Sequence, residues 1–159
     1  MATGNSRARL DSVEANHFLS SYLPDVSYGG KRLYDDMVEQ AVAAEKLGYK
    51  GVTLPEHHLV NLLLMPSPLQ MAVKVASVTD YLELVTSVAV LPLRDMRVFA
   101  GEVVMADILT SGRLVLGVGR GAFAYEMGRL GSPIEESKAM VVGSARCHCG
   151  SRPFWHRRR

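Results

Sequence analysis

Apolar and polar positions follow two different periods along this chain. Residues 82–91 form a nearly unbroken apolar, β-branched run that ends at Pro92, and such a run predicts a strand buried on both faces, as in a parallel sheet. Residues 97–109 carry apolar side chains at helical spacing, and residues 113–118 form a second short apolar run. A strand, a helix and a strand in this order predict a βαβ unit, whose crossover is right-handed by strong preference.

The same alternation extends over most of the chain. We expect strands near residues 18, 52, 86 and 116, and helices over residues 34–47, 68–78, 97–109 and 122–130 and from residue 133 onward. After Ser137 the periodic pattern stops. The predicted fold class is therefore α/β with a parallel sheet. Four βα features leave two architectures open, a small doubly wound sheet or the first half of a (β/α)8 barrel, because a full barrel needs about 250 residues.

Composition narrows the class of protein. Of the 159 residues, 48% are hydrophobic and 21% are charged, which is the balance of a globular protein. No apolar run approaches the ~20 residues needed to cross a bilayer, and the first residues lack the apolar segment of a secretory signal. We therefore expect a cytoplasmic protein with no membrane partner. The body of the chain has no basic surface pattern, so we expect no nucleic-acid partner either.

Charge divides the chain into three segments. Residues 1–14 are polar and aperiodic and predict a flexible arm, whereas residues 15–137 form the α/β domain. Residues 138–159 contain six of the 18 basic residues and none of the 16 acidic ones. This change leads to the hypothesis of an irregular basic tail from a truncated or out-of-frame reading frame. Two cysteines and a histidine at residues 147–149 match no established four-ligand spacing, so we expect no metal site.

Three consecutive polar residues follow the second predicted strand. Glu56, His57 and His58 stand where the strand passes into a loop, and ligands bind at the carboxyl ends of strands in parallel α/β folds. A histidine here could be a general base, a hydrogen-bond donor or a metal ligand. In the alternative interpretation, one imidazole bonds a loop carbonyl and the other faces solvent.

A glycine-rich turn follows the fourth predicted strand. Residues 117–122 formally match the fingerprint G-x-G-x-x-[GA] of dinucleotide sites, but that motif belongs after the first strand of a domain and needs an acidic residue on a later strand. A simpler hypothesis is a phosphate site, in which backbone amides approach the phosphate and Arg120 supplies positive charge. The alternative is a tight turn whose arginine faces solvent.

Taken together, these motifs resemble the first half of the (β/α)8 fold of the bacterial luciferase-like flavin monooxygenases. The resemblance covers roughly residues 17–137 and rests on residues 56–58, Leu91-Pro92, Asp107, Ser111-Gly112-Arg113 and residues 117–121, in the order of the family. It implies a reduced flavin, usually FMN, that reacts with O2 and oxygenates a small organic substrate. A flavin reductase would supply the reduced FMN.

The resemblance also implies roles for individual residues. His57 would be the catalytic residue, close to the isoalloxazine ring, where it would help to form or stabilise the peroxyflavin. Ser87 and Val88 would lie behind the ring, joined in some members by a non-prolyl cis peptide, and Arg120 would contact the flavin phosphate. The complete set of implied cofactor-binding residues is Glu56, Ser87, Val88, Gly119, Arg120 and Gly121.

Two alternatives stay open beside the monooxygenase hypothesis. One alternative is a deazaflavin-dependent oxidoreductase of the same superfamily, which would transfer hydride. It could also be a non-catalytic half-barrel module that completes a barrel with another polypeptide or as a homo-oligomer. A half barrel leaves the edges of its first and fourth strands unpaired, which favours association. We expect such a chain to bind FMN weakly or not at all and not to be active on its own.

Overall fold

The computed structural model describes residues 14–23, 25–60 and 63–148, with side chains up to residue 143. Residues 1–13 of the predicted arm and residues 149–159 of the predicted tail lie outside this part of the chain, as do the side chains of the candidate cysteine and histidine ligands. The structure therefore bears on the α/β domain and on the beginning of the predicted tail.

Strands and helices alternate along the described residues, which confirms the predicted α/β class. The strands are β1 (Asn16–Phe18), β2 (Gly51–Leu54), β3 (Glu83–Thr86), β4 (Ala89–Val90), β5 (Leu114–Val115) and β6 (Val118–Gly119). The helices are α1 (Gly30–Lys46), α2 (Pro68–Ala76), α3 (Met96–Leu109), α4 (Ala124–Arg129) and α5 (Ser137–His148), with short 3-10 helices at Val26–Tyr28 and Leu91–Leu93.

The described strands form two parallel sheets. The larger sheet has the order β1-β2-β3-β5, so each of its strands pairs with the strand of the next βα unit along the chain. The smaller sheet pairs β4 with β6. Within the described residues, no strand pairs with the outer edge of β1 or of β5. This is the open, sequential arrangement expected of consecutive βα units.

The third and fourth predicted strands are each broken near their carboxyl ends. The run 82–91 forms β3 and then β4, separated by Ser87 and Val88, whose peptide bond is cis as the resemblance implies. The run 113–118 likewise forms β5 and then β6. Sequence periodicity could not show these breaks because the flanking residues on both sides remain apolar.

The helices cover one face of the larger sheet. Val52 and Leu84 are in register on neighbouring strands, are fully buried, and pack in one cluster with Met37 of α1 and Val75 of α2. The opposite face is partly open: Phe18 at one side of the sheet is 53% exposed. This face carries Phe18, Thr53, Val85 and Val115 in a row.

The beginning of the predicted irregular tail is helical, which corrects the prediction that regular structure stops after Ser137. Helix α5 runs from Ser137 to His148, and Val141 packs against the buried cluster that contains Leu91 and Phe99. The prediction was wrong because Gly143 and the lack of acidic residues obscured a short apolar stripe.

A carboxylate at the end of α1 holds the turn that leads into β3. Glu45 accepts backbone hydrogen bonds from Asp80 and Tyr81, both at 2.8 Å, and from Leu82 at 3.3 Å. Burial raises the pKa of Glu45, but these three N–H donors outweigh it, so its pKa lies below the ordinary value of 4.5. Ionised Glu45 therefore stabilises the folded chain.

We expect Glu45→Gln to lower the free energy of unfolding at pH 7 by about 1 kcal/mol, since the hydrogen bonds lose their charged acceptor. A depressed folded-state pKa gives stability that is present above the unfolded value and is lost as the pH falls through the folded value. The difference from wild type should therefore disappear on acidification below pH 4.5. Urea denaturation at several pH values measures the difference in the free energy of unfolding, with exposed Glu39→Gln as the charge-matched control. An equal loss of stability in both variants would contradict the stabilising role of the Glu45 hydrogen bonds.

Candidate functional site

A small cleft lies where the carboxyl ends of β2, β3 and β6 meet. It has a volume of about 200 Å³ and is lined by Glu56, His57, Ser87, Val88, Val90, Gly121, Ala122, Phe123, Glu126 and Met127. Five of the seven residues to which the resemblance assigns a role therefore lie in one cleft. Gly119 and Arg120 do not line it, and Arg120 is exposed.

His57 is held in the cleft by three contacts. Its backbone N–H donates to the carbonyl of Met65 at 2.9 Å, and its Nδ1 lies 3.0 Å from Oε1 of Glu126. The ring of Phe123 meets the imidazole edge-on, with 5.2 Å between the ring centroids. The side chain of His57 is 17% exposed and that of Glu126 is 6% exposed, so this is a largely buried acid–base pair.

Glu56 forms a second buried network beside the first. Its side chain is fully buried, and Oε1 accepts hydrogen bonds from His58 Nε2 and Arg94 Nη2, both at 2.7 Å. Its other oxygen accepts the backbone N–H of Val90 at 3.1 Å. The guanidinium offsets the charge that a buried carboxylate would otherwise leave uncompensated.

These contacts decide between the two interpretations of the adjacent histidines. Each imidazole pairs with a carboxylate, His57 with Glu126 and His58 with Glu56. The alternative in which one ring bonds a loop carbonyl and the other faces solvent is therefore wrong. Among the described residues, no group of three or more His, Cys, Asp or Glu side chains could hold a metal ion.

Close approach of the strands explains the glycines that precede the cleft. Gly117 donates to Thr86 Oγ1 at 2.9 Å and accepts from it at 2.8 Å, and a Cβ on Gly117 would clash with the Thr86 carbonyl oxygen. A Cβ on Gly119 would lie 2.7 Å from Cγ2 of Val88. These positions need glycine for packing against β3 and Val88, whatever binds in the cleft.

Sequence reasoning missed the partners that orient the predicted residues, namely Arg94, Phe123 and Glu126. Arg94 precedes α3 and reaches Glu56, whereas Phe123 and Glu126 belong to the first turn after the glycine-rich segment. The position of that turn in the sequence could have indicated Phe123 and Glu126, because a short helix directly after β6 brings its first residues over the carboxyl ends of the strands. Glu126 and His57 are 69 positions apart, so their pairing produces no local pattern in the sequence.

A larger cavity of about 530 Å³ lies elsewhere, between α2 and α3. Its wall is mainly apolar, with Leu69, Val73 and Leu109 among its residues, and it holds no histidine. The smaller cleft is the better candidate because titratable groups converge there at the carboxyl ends of parallel strands.

We expect Gly121→Ala to destabilise the chain by about 1–3 kcal/mol, because Gly121 has φ +79° and a Cβ would lie 2.9 Å from Met127 Sδ and 3.1 Å from Val90 Cγ1. Gly128→Ala is the matched control, since it lies in α4 with no atom within 4 Å of its new Cβ. That variant should be neutral or slightly stabilising. Urea denaturation followed by circular dichroism measures both, and equal effects would contradict the account of the turn.

Comparison with known proteins gives the chain a context. The model of the luciferase-like monooxygenase family matches residues 16–142. The oxygenase component of a flavin-dependent trigonelline monooxygenase of Acinetobacter baylyi is 35% identical over 100 residues, which are 63% of this chain and 28% of that protein. This chain spans under a third of the length of the relatives that it matches in sequence.

Solved structures show the same partial coverage. The oxygenating constituent of 3,6-diketocamphane monooxygenase from Pseudomonas putida, solved with FMN, superposes with a TM-score of 0.77 at 20% identity, over 85% of this chain and 39% of that one. A secondary alcohol dehydrogenase that depends on F420 gives a TM-score of 0.66 at 19% identity, over 85% and 40% of the two chains. At these identities the likeness concerns the fold, which is that of a partial TIM barrel.

Proposed function

The chain belongs to the luciferase-like monooxygenase family, and from that premise we propose that it contributes the first half of a flavin-dependent monooxygenase that uses reduced FMN and O2 on a small organic substrate. The observation that carries the proposal is the cleft, where His57 with its buried carboxylate partner meets Ser87 and Val88 at the strand ends. The sequence relatives that are named as flavin-dependent or as monooxygenases support the reaction class.

The cleft fits one part of a flavin. Val88 and Phe123 offer apolar contact, and His57 offers a ring nitrogen beside them. Its volume of about 200 Å³ is below the ~300–1,000 Å³ of complete small-molecule sites. We therefore propose that the remaining βα units of a barrel supply the rest of the wall. A bound reduced flavin would supply the electrons with which O2 is activated.

Each predicted residue keeps a proposed role on this basis. Ser87 and Val88 would support the flavin ring, and His57 would contact the ring or the substrate. Gly119, Arg120 and Gly121 would hold the phosphate, since Arg120 is exposed and no carboxylate pairs with it in the described part of the chain. Glu56 lines the cleft but has both oxygens engaged by protein groups, so any part it takes in cofactor binding would be indirect.

A separate reductase is the proposed source of reduced flavin. The Acinetobacter relative is described as the oxygenase component of its enzyme, which implies that another component accompanies it. No helix among the described residues is long and apolar enough to span a membrane.

Titration of the ¹⁵N-labelled chain with reduced FMN under anaerobic conditions tests the cofactor site. We expect weak binding, with amide shifts confined to residues around the cleft such as Val88 and Gly121, because the described site forms only part of a wall. Arg120→Gln should weaken FMN binding by roughly three- to tenfold and leave riboflavin binding unchanged, because riboflavin lacks the phosphate. Exposed Arg129→Gln is the matched control.

Two results would contradict the proposal. Shifts confined to the cavity between α2 and α3 would place any flavin contact away from the cleft. Tight stoichiometric binding would contradict the expectation that the site is incomplete.

A deazaflavin is the second candidate cofactor, and the likeness to the F420-dependent dehydrogenase favours including it. In that case His57 would serve a hydride-transfer reaction. Offering FMN and F420 to the chain side by side distinguishes the two, since the preferred cofactor should give cleft shifts at lower concentration.

A non-catalytic half-barrel module is the second candidate function, and the unpaired outer edges of β1 and β5 in the described sheet favour it. We expect native mass spectrometry to detect concentration-dependent association of the purified chain. A stable complex of two half barrels that shows no amide shifts on titration with reduced FMN would favour the non-catalytic module over the enzyme. A strictly monomeric chain at all concentrations would contradict it.

A further inference from the structure

Two buried carboxylates line the cleft among the described residues, and their surroundings differ. Glu56 has the guanidinium of Arg94 as its counter-charge at 2.7 Å. Glu126 has only one polar side-chain partner in the described part of the chain, the imidazole of His57 at 3.0 Å. Glu126 and His57 therefore satisfy each other, and each is the main polar constraint on the other.

The chemistry of this contact assigns a proton. An ionised carboxylate can only accept a hydrogen bond, so Nδ1 of His57 must carry the hydrogen. Nε2 of the same ring then holds the lone pair, and no described residue forms a hydrogen bond with it. Because His57 lines the cleft, Nε2 is the nitrogen left for whatever enters there.

The same short element fixes the plane of the ring. Phe123 is the N-cap of α4 and Glu126 lies in its first turn, three positions later, so both lie on one side of the element. Phe123 meets the imidazole edge-on while Glu126 bonds its Nδ1. The ring is therefore held in its plane by one residue and in its tautomer by the other.

We propose that Glu126 is a positioning residue that keeps the proton of His57 on Nδ1 and presents Nε2 to the cleft. The assignment of the tautomer stands on the contact alone, whereas its catalytic meaning rests on the proposed function. A neutral His57 so held can accept a proton at Nε2 from a bound cofactor or substrate. The imidazolium that results keeps its Nδ1–H bond to the Glu126 carboxylate, which lies where it can offset the new charge.

The neighbouring histidine provides an internal reference. His58 donates from Nε2 to Glu56, so its hydrogen lies on the other type of ring nitrogen. The structure thus assigns opposite tautomers to two adjacent residues. A general effect of the solvent or of the sequence would favour the same tautomer in both histidines, whereas the two carboxylate contacts favour different ones.

Long-range ¹H–¹⁵N correlation of the imidazole rings in the cofactor-free chain, at a pH where the rings are neutral, tests the proposal. It detects both nitrogens through the carbon-bound hydrogens, so exchange of the N–H proton does not hide the result. We expect a protonated Nδ1 for His57 and a protonated Nε2 for His58. A protonated Nε2 on His57 would overturn the proposal, because Glu126 would then be a protonated donor or no partner at all.

Three variants separate positioning from a merely structural role. Glu126→Ala should abolish the preference for Nδ1–H in His57 and leave His58 unchanged. Glu126→Gln has nearly the same volume, but its amide can donate to Nδ1 as well as accept from it, so it should weaken the preference for Nδ1–H in His57; it provides the test if the alanine variant fails to fold. Exposed Glu135→Ala should alter neither ring; an unchanged His57 in Glu126→Ala would overturn the proposal.

The outcomes also separate this proposal from the proposed function. If the tautomers are as assigned and reduced FMN leaves the cleft unperturbed, the role of Glu126 is supported and the proposed flavin site is contradicted. If FMN perturbs the cleft and His57 carries its hydrogen on Nε2, the flavin site stands and the role of Glu126 falls.

Discussion

The Glu56 carboxylate is buried and accepts hydrogen bonds from three separate segments of the chain. These segments are the loop after β2, the strand β4 and the residue Arg94 that precedes α3. Removing any one partner would leave buried charge or a backbone N–H uncompensated, which is costly in a low-dielectric interior. His57 directly follows Glu56, so the place of the candidate catalytic ring depends on this network, although the network itself contributes no atom to the pairing with Glu126.

The fold could be predicted from the sequence because its signals are local. The apolar runs around Val52 and Leu84 are short, and the helical spacing from Tyr34 to Leu47 lies within 14 residues. Because strands and helices alternate, few topologies are possible. The candidate residues at the end of β2 were predictable for the same reason, since function in parallel α/β folds collects at carboxyl strand ends. Helix α1 begins at Gly30, four residues before the predicted start, because polar residues cover its first turn.

The parts that could not be predicted depend on distant contacts. The partner of His57 lies 69 positions away, and that of Glu56 lies 38 positions away in Arg94. Glu126 was not distinguishable by composition from the other acidic residues of the chain, nor Arg94 from the other basic ones. The glycine-rich turn shows a different limit. Its motif predicts phosphate binding, which stays a prediction, whereas the motif gave no sign that Gly117 and Gly119 are also required by contact with Thr86 and Val88.

The bond from Glu45 to the turn before β3 has a consequence for how the chain opens. Glu45 lies at the end of the helix that joins β1 to β2, whereas Asp80 and Tyr81 lead into the third strand. One carboxylate therefore links segments that belong to different βα units. Local opening of α1 would release the amides before β3, so the first three strands should exchange their hydrogens as one cooperative unit rather than as successive layers.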